Sequence, residues 1–335
     1  MVGYRLLISA AIAIFSMTSW NIMNAQSKRA HAKRPAQEIF YYQGESLVKE
    51  INPNLKKLTF FYRNPIGKFI RQFMKLRTFS KVVGRYYDSK RSIRAIEPFI
   101  KQYSLDMSDY EEKSYTSFND FFTRKLKHNT RVIDRNPCVV ASPCDGKLFV
   151  IPKISDNTVF YLKSLPFNLK KFLGNSERAE QYIGGTLMIF RLAPYDYHRF
   201  HFPLDCTPSK AIVINGKLES VNPMVYKRGI QVLTENERHL IELNHQDHGQ
   251  ALMIPVGAMC IGKIIETFQA DQLTTKGTEA GFFSFGGSTV VLLFPPEKVT
   301  LPDTFIKNSA LGFETAVKMG ELVATFNEKK NFEEA

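Results

Sequence analysis

Phe285-Gly286-Gly287-Ser288-Thr289 runs directly into Val290-Val291-Leu292-Leu293-Phe294 and then Pro295-Pro296. A continuous apolar run of this length, opened by glycines and closed by prolines, predicts a buried strand. Paired glycines allow backbone conformations that a side chain forbids. They also leave the Gly287 carbonyl uncrowded beside the Ser288 hydroxyl. Such a serine is suited to attack its own preceding peptide bond. Taken alone, the same letters also describe an ordinary turn entering a strand.

Working outward, the text from Pro137 onward has short β-rich runs separated by turn residues. Val139-Val140 and Leu148 to Ile151 flank Ser142-Pro143-Cys144-Asp145-Gly146. Leu187 to Leu192, Leu240 to Leu243, Ala251 to Val256 and Ile261 to Ile265 continue the pattern, and Ile212-Val213-Ile214-Asn215-Gly216-Lys217-Leu218 predicts a tight hairpin. Upstream the pattern is helical. Ser117 with Asp120 three residues on resembles a capping box, placing Phe118, Phe121, Phe122 and Leu126 toward a core. The expected fold class is α+β: an N-terminal membrane segment and helices, then a mainly antiparallel β catalytic domain over 137–335.

The N-terminal part is read in three stretches. Residues 1–24 form a hydrophobic anchor or signal-like segment, since Leu6 to Met17 is apolar and nearly long enough with its flank to span a bilayer. Lys28, Arg29, Lys33 and Arg34 follow it, against Arg5 alone before it, an asymmetry that keeps the following chain cytoplasmic. A cleaved secretory signal is the alternative. Residues 25–51 read as a basic, polar linker, and 52–136 as a helical, basic, membrane-proximal region. There Ile66, Phe69, Ile70, Phe73 and Met74 share one helical face, with Lys68, Arg71, Gln72 and Lys75 opposite. Such a helix lies in an anionic lipid interface or packs on its own domain.

Composition restricts the partners. The 45 Lys and Arg against 32 Asp and Glu give a net charge of +13, which implies an anionic partner. No nucleic-acid-binding motif accompanies the charge, so no nucleic-acid partner is expected. The four cysteines form no C-x-x-C pair, which points to reduced thiols rather than a disulfide framework or zinc site.

Three segments carry reactive groups: Asp145 in its turn, Tyr195-Asp196-Tyr197-His198-Arg199-Phe200-His201-Phe202-Pro203, and Ser288. Asp, His and Ser can form orienter, base and nucleophile, though spacing alone does not establish their geometry. The two histidines lack further ligands in a metal-like pattern, and no metal is expected. A G-x-S-x-G elbow, which would favour a Ser-His-Asp hydrolase or autoprotease, is absent.

Together these segments resemble the phosphatidylserine decarboxylase family of pyruvoyl enzymes. The resemblance runs in order through Ser117 to Leu126, Ser142 to Gly146, Tyr197 to Pro203, Ser220-Val221-Asn222-Pro223, Asn236-Glu237-Arg238, Val256-Gly257-Ala258 and Phe285 to Thr289. It spans roughly 115–297. The familiar Leu-Gly-Ser-Thr motif is Gly286-Gly287-Ser288-Thr289 here.

The resemblance implies autocatalytic serinolysis between Gly287 and Ser288, with Asp145, His201 and Ser288 as the processing triad. Ser288 becomes the pyruvoyl cofactor and Schiff-base site, and His198 is the proton donor in decarboxylation. Exchanging the two histidines leaves the sequence argument unchanged. The implied partners are an anionic phospholipid membrane, phosphatidylserine, and the chain's own large and small pieces as a heterodimer; a homo-oligomer is left open. The expected location is the cytoplasmic face of a bacterial inner membrane. A pyruvoyl decarboxylase of a soluble amino acid is the nearest alternative.

Overall fold

The strand expected after Ser288 lies in the middle of a 10-stranded sheet. The computed structural model describes residues 39–74, 77–155, 159–160, 165–222, 225, 230–258, 263–286 and 288–328. The expected anchor at 1–24, most of the linker, Pro223 and Gly287 lie outside these residues. Among the described residues no helix is long and apolar enough to cross a membrane.

The described residues open with a hairpin of β1 (Phe40–Gln43) and β2 (Ser46–Lys49). The linker expected over 25–51 is therefore structured in its last part. Tyr41 and Tyr42 pair with Glu314 and Thr315 near the other end of the sequence, a partner that local polarity does not reveal. Helices α1 (Leu55–Arg63), α2 (Pro65–Met74), α3 (Arg77–Tyr87), α4 (Ile96–Tyr103) and α5 (Phe118–Phe122) follow. Ser117 caps α5, its side chain accepting the Asp120 N–H at 3.1 Å. That bond satisfies one of the donors every helix leaves open at its start.

Strands then dominate: β3 (Val139–Ala141), β4 (Gly146–Ile151), and the small pair β5 (Val159–Phe160) and β6 (Leu165–Pro166). Short helices α6 (Leu169–Leu173) and α7 (Ser176–Glu180) precede β7 (Thr186–Leu192), β8 (Arg199–His201), β9 (Thr207–Pro208) and β10 (Ile212–Ile214). After α8 (Val232–Glu235) come β11 (Arg238–His245), β12 (Gly249–Gly257), β13 (Ile264–Glu266), β14 (Glu279–Phe283) and β15 (Ser288–Phe294). The described residues close with β16 (Val299–Thr300), α9 (Asp303–Ala310), β17 (Glu314–Val317) and β18 (Leu322–Phe326).

The main sheet runs β10-β11-β12-β15-β7-β4-β17-β1-β2, with β9 beside β11. Its pairings are antiparallel except β1 with β17. β15 is buried along its whole length. Alternation sends Val291 and Leu293 into one core with Phe149, Ile189, Leu252 and Ile254. Val290, Leu292 and Phe294 enter the other with Leu148, Phe190, Ile241 and Met253. Both faces of the central strands are thus covered, which is why they read as unbroken apolar runs.

The tight hairpin expected at Asn215-Gly216 does not form. β10 pairs with Arg238 to Leu240 instead, while Lys217 bridges Asn236. Gly216 passes so near this segment that a Cβ would lie 2.4 Å from the Asn236 backbone carbon. The glycine serves a close backbone crossing rather than a two-residue turn.

Candidate active site

Ser288 is fully buried at the first position of β15. It is held on both sides, opposite Gly257 on β12 and Leu192 on β7. The preceding Gly286 has φ 154°, a value that side chains rarely adopt. Asn236 fixes one wall: its side-chain amide donates to the Gly257 carbonyl at 2.7 Å and the Glu219 carbonyl at 2.8 Å. The segments 236–238 and 256–258 therefore position the strand beside Ser288.

His198 meets Ser288, with Nδ1 and Oγ 3.0 Å apart. Its Nε2 lies 3.0 Å from the Ala193 carbonyl. A carbonyl only accepts, so Nε2 carries the ring proton and Nδ1 presents a lone pair. The Ser288 hydroxyl consequently donates to Nδ1. The imidazole is stacked on Phe122, with ring centroids 4.0 Å apart. Burial, joined by the nearby Arg124 charge, pushes His198 down to about 3. It is neutral, with the Nδ1 lone pair turned to Ser288.

His201 lies on β8, its N–H donating to the Pro143 carbonyl at 2.7 Å. That bond brings it beside the turn containing Asp145. Its Nδ1 is buried without a partner, and burial pushes its imidazole down to about 4. Asp145 accepts from Arg131 Nη2 at 2.8 Å and from the Met319 N–H at 2.8 Å. The chain of hydrogen bonds expected through Asp145, His201 and Ser288 is therefore not the arrangement seen. The reason is strand periodicity: residues three apart on an extended segment face opposite sides. Only His198 faces Ser288 here.

Several supporting residues carried no individual signal. Asn119 Oδ1 accepts the Phe285 N–H at 2.8 Å, and its amide donates to Asp88 at 2.6 Å. The Phe285 ring lies among Tyr87, Phe118 and Phe122 at centroid distances of 4.5, 4.9 and 5.1 Å. The Ser117 to Phe122 segment thus grips the approach to Gly286 and Ser288. Asp196 accepts from Lys147 at 2.8 Å and from the Ala193 N–H at 2.6 Å, fixing the turn whose carbonyl sets the His198 tautomer. Its location in the Tyr195 to Pro203 motif was the available clue.

The family model for phosphatidylserine decarboxylase matches residues 118–325. A phosphatidylserine decarboxylase proenzyme of Chlamydia pneumoniae is 40% identical over 269 residues, covering 79% of this chain and 89% of the relative. One from Clostridium novyi is 38% identical over 271 residues, covering 80% and 92%. One from Chlamydia muridarum is 37% identical over 291 residues, covering 85% and 97%.

Proposed function

The chain belongs to the phosphatidylserine decarboxylase family, and from that premise we propose how its residues carry out the reaction. It decarboxylates phosphatidylserine to phosphatidylethanolamine and CO2, and it is a proenzyme that cleaves itself. The observation that carries the assignment of the site is the 3.0 Å contact between His198 Nδ1 and Ser288 Oγ, two fully buried side chains.

Self-cleavage begins when an imidazole takes the Ser288 hydroxyl proton. The oxygen attacks the Gly287 carbonyl carbon, and the acyl group moves from nitrogen to oxygen. Loss of the Ser288 Cα proton expels the Gly287 carboxylate. Hydrolysis of the resulting dehydroalanine releases ammonia and leaves a pyruvoyl group at position 288. The residues present fit this group: the position is buried, and a buried imidazole is its polar neighbour. When present, it supplies a sink for the electron pair released as CO2 leaves. His198, neutral at the start, takes a proton at Nδ1 from the arriving substrate ammonium. It returns that proton to the carbon that has lost CO2.

In this reading Asp145 and His201 serve maturation and His198 serves turnover. The unpartnered His201 Nδ1, beside the Asp145 turn, supports a role for that pair in the precursor. The His198–Ser288 contact favours a second reading, in which His198 also takes the hydroxyl proton during maturation.

The substrate lies in a membrane, and α2 supports docking at an anionic phospholipid surface. Its Ile66, Phe69 and Phe73 are 54%, 65% and 52% exposed, while Ile70 and Met74 turn into the core. Exposed Lys56, Lys57, Arg63 and Lys68 flank them. Basic residues near an anionic leaflet each contribute about 1 kcal/mol.

Intact mass spectrometry tests the assignment. Wild-type protein should appear as pieces divided between 287 and 288, the smaller with a blocked N-terminus. Ser288→Ala should remain whole and inactive; full activity in that variant would overturn the mechanism.

A further inference from the structure

Arg124 is a buried cation without a counter-ion among the described residues. It is 2% exposed, yet its Nε and Nη1 have no hydrogen-bond partner. Only Nη2 is engaged, donating to the carbonyls of Tyr195 and Asp196 at 3.0 and 3.3 Å and to the Tyr110 hydroxyl at 3.3 Å. The guanidinium rests on the rings of Tyr110 and Phe121, 4.3 and 5.1 Å from their centroids. Neutral groups and ring faces do not neutralise a full charge. A buried guanidinium normally has a carboxylate or phosphate on its open N–H groups.

A cavity of about 150 Å³ adjoins it, lined also by Lys113, Lys125, Arg199, Glu111 and Asp120. Two of these cations are already paired: Lys113 with Asp120 at 2.6 Å and Arg199 with Glu279 at 2.8 Å. Of the other two cations Lys125 is exposed, and Arg124 is the buried one with no ion pair among the described residues. The volume suits a small oxyanion, several times the roughly 30 Å³ share of one water.

We propose that this cavity is an oxyanion-binding site that takes a phosphate or phosphodiester, with Arg124 as its anchor and Lys125 at its rim. The site is coupled to position 288. Arg124 lies two residues after Phe122, the ring stacked on His198. An anion bound there neutralises the charge that helps to keep His198 unprotonated. The phosphate belongs either to the substrate headgroup or to a second anionic molecule. Only the first source rests on the decarboxylase reading.

Titration calorimetry with inorganic phosphate tests the site in wild-type protein and in uncut Ser288→Ala, without reference to decarboxylation. Both should bind phosphate. Arg124→Gln should weaken binding about ten- to hundredfold, as loss of charge-assisted hydrogen bonds does, and Arg124→Lys less. Lys125→Ala, an exposed change that keeps the fold, should weaken it about two- to fivefold. Absence of phosphate binding by the wild type overturns the proposal. So does unchanged binding in Lys125→Ala together with a folded Arg124→Gln. Kinetics then identify the source. Phosphate that raises the KM for phosphatidylserine vesicles at constant kcat occupies the headgroup position. A changed kcat at saturating substrate assigns the site to a second anion.

Discussion

The Ala193 carbonyl fixes which nitrogen of His198 carries a proton, and thereby which one can take a proton from Ser288. The ring stays uncharged because burial and Arg124 push it down to about 3. It therefore enters each cycle uncharged, with the Nδ1 lone pair toward position 288. Two variants separate its roles. Under the proposed division, His198→Ala cuts normally but loses decarboxylation by roughly a hundredfold or more, the scale of a proton-transfer catalyst. His201→Ala stays whole on a denaturing gel. An uncut His198→Ala would establish the second reading, in which His198 serves both reactions. Asn119 acts one step away by holding the Phe285 N–H. Loss of a buried hydrogen bond costs about 1–3 kcal/mol. Asn119→Ala should slow self-cleavage about tenfold or more, followed as the decay of uncut chain after synthesis.

At the scale of elements, β15 carries both the reactive residue and much of the core. Leu292 is fully buried between β12 and β7. Leu292→Ala should cost about 2–5 kcal/mol of stability, measured by denaturant unfolding with self-cleavage followed in parallel. β11 and β13 are tied by charge: His239 bonds Glu266 and lies 3.8 Å from Glu237. Burial alone would depress His239, but the two carboxylates outweigh it and raise the imidazole to about 9. The stabilisation is complete below the unfolded value near 6.5 and is lost as pH rises through 9. Wild-type Tm should therefore fall more between pH 6.5 and 9 than that of His239→Gln. Equal falls would exclude the link.

Across the whole molecule, the segment after the cut is woven into the segment before it. β15 lies between β12 and β7, β17 between β4 and β1, and β18 beside β3. Buried Arg191 on β7 adds a double tie, to Glu314 of the later segment and to Glu50. The two pieces should co-elute in native chromatography and separate only in denaturant. The membrane-docking face proposed for α2 provides the other whole-molecule prediction. Replacing Phe69 and Phe73 together by Ser removes two exposed rings worth about 1.5–3 kcal/mol each when buried. Flotation with anionic vesicles should fall more than tenfold, with self-cleavage intact.

The sequence by itself determined the α+β class, the buried strand after Ser288 and the capped helix at Ser117. Each is recorded in a local period or end signal that survives without knowledge of the rest of the chain. The ordered motifs also singled out Ser288, His198 and His201 as candidate site residues. Which histidine meets it was decided only by tertiary structure. His198 and Ser288 are 90 positions apart, and their meeting depends on how β7, β8, β14 and β15 fall into register. The hairpin misread at Asn215-Gly216 has the same origin, for a glycine that turns a chain and one that lets two chains cross look alike in one dimension. Arg124 is the sharpest case: its residue type announces charge, but only the packing around it shows that no carboxylate among the described residues answers that charge.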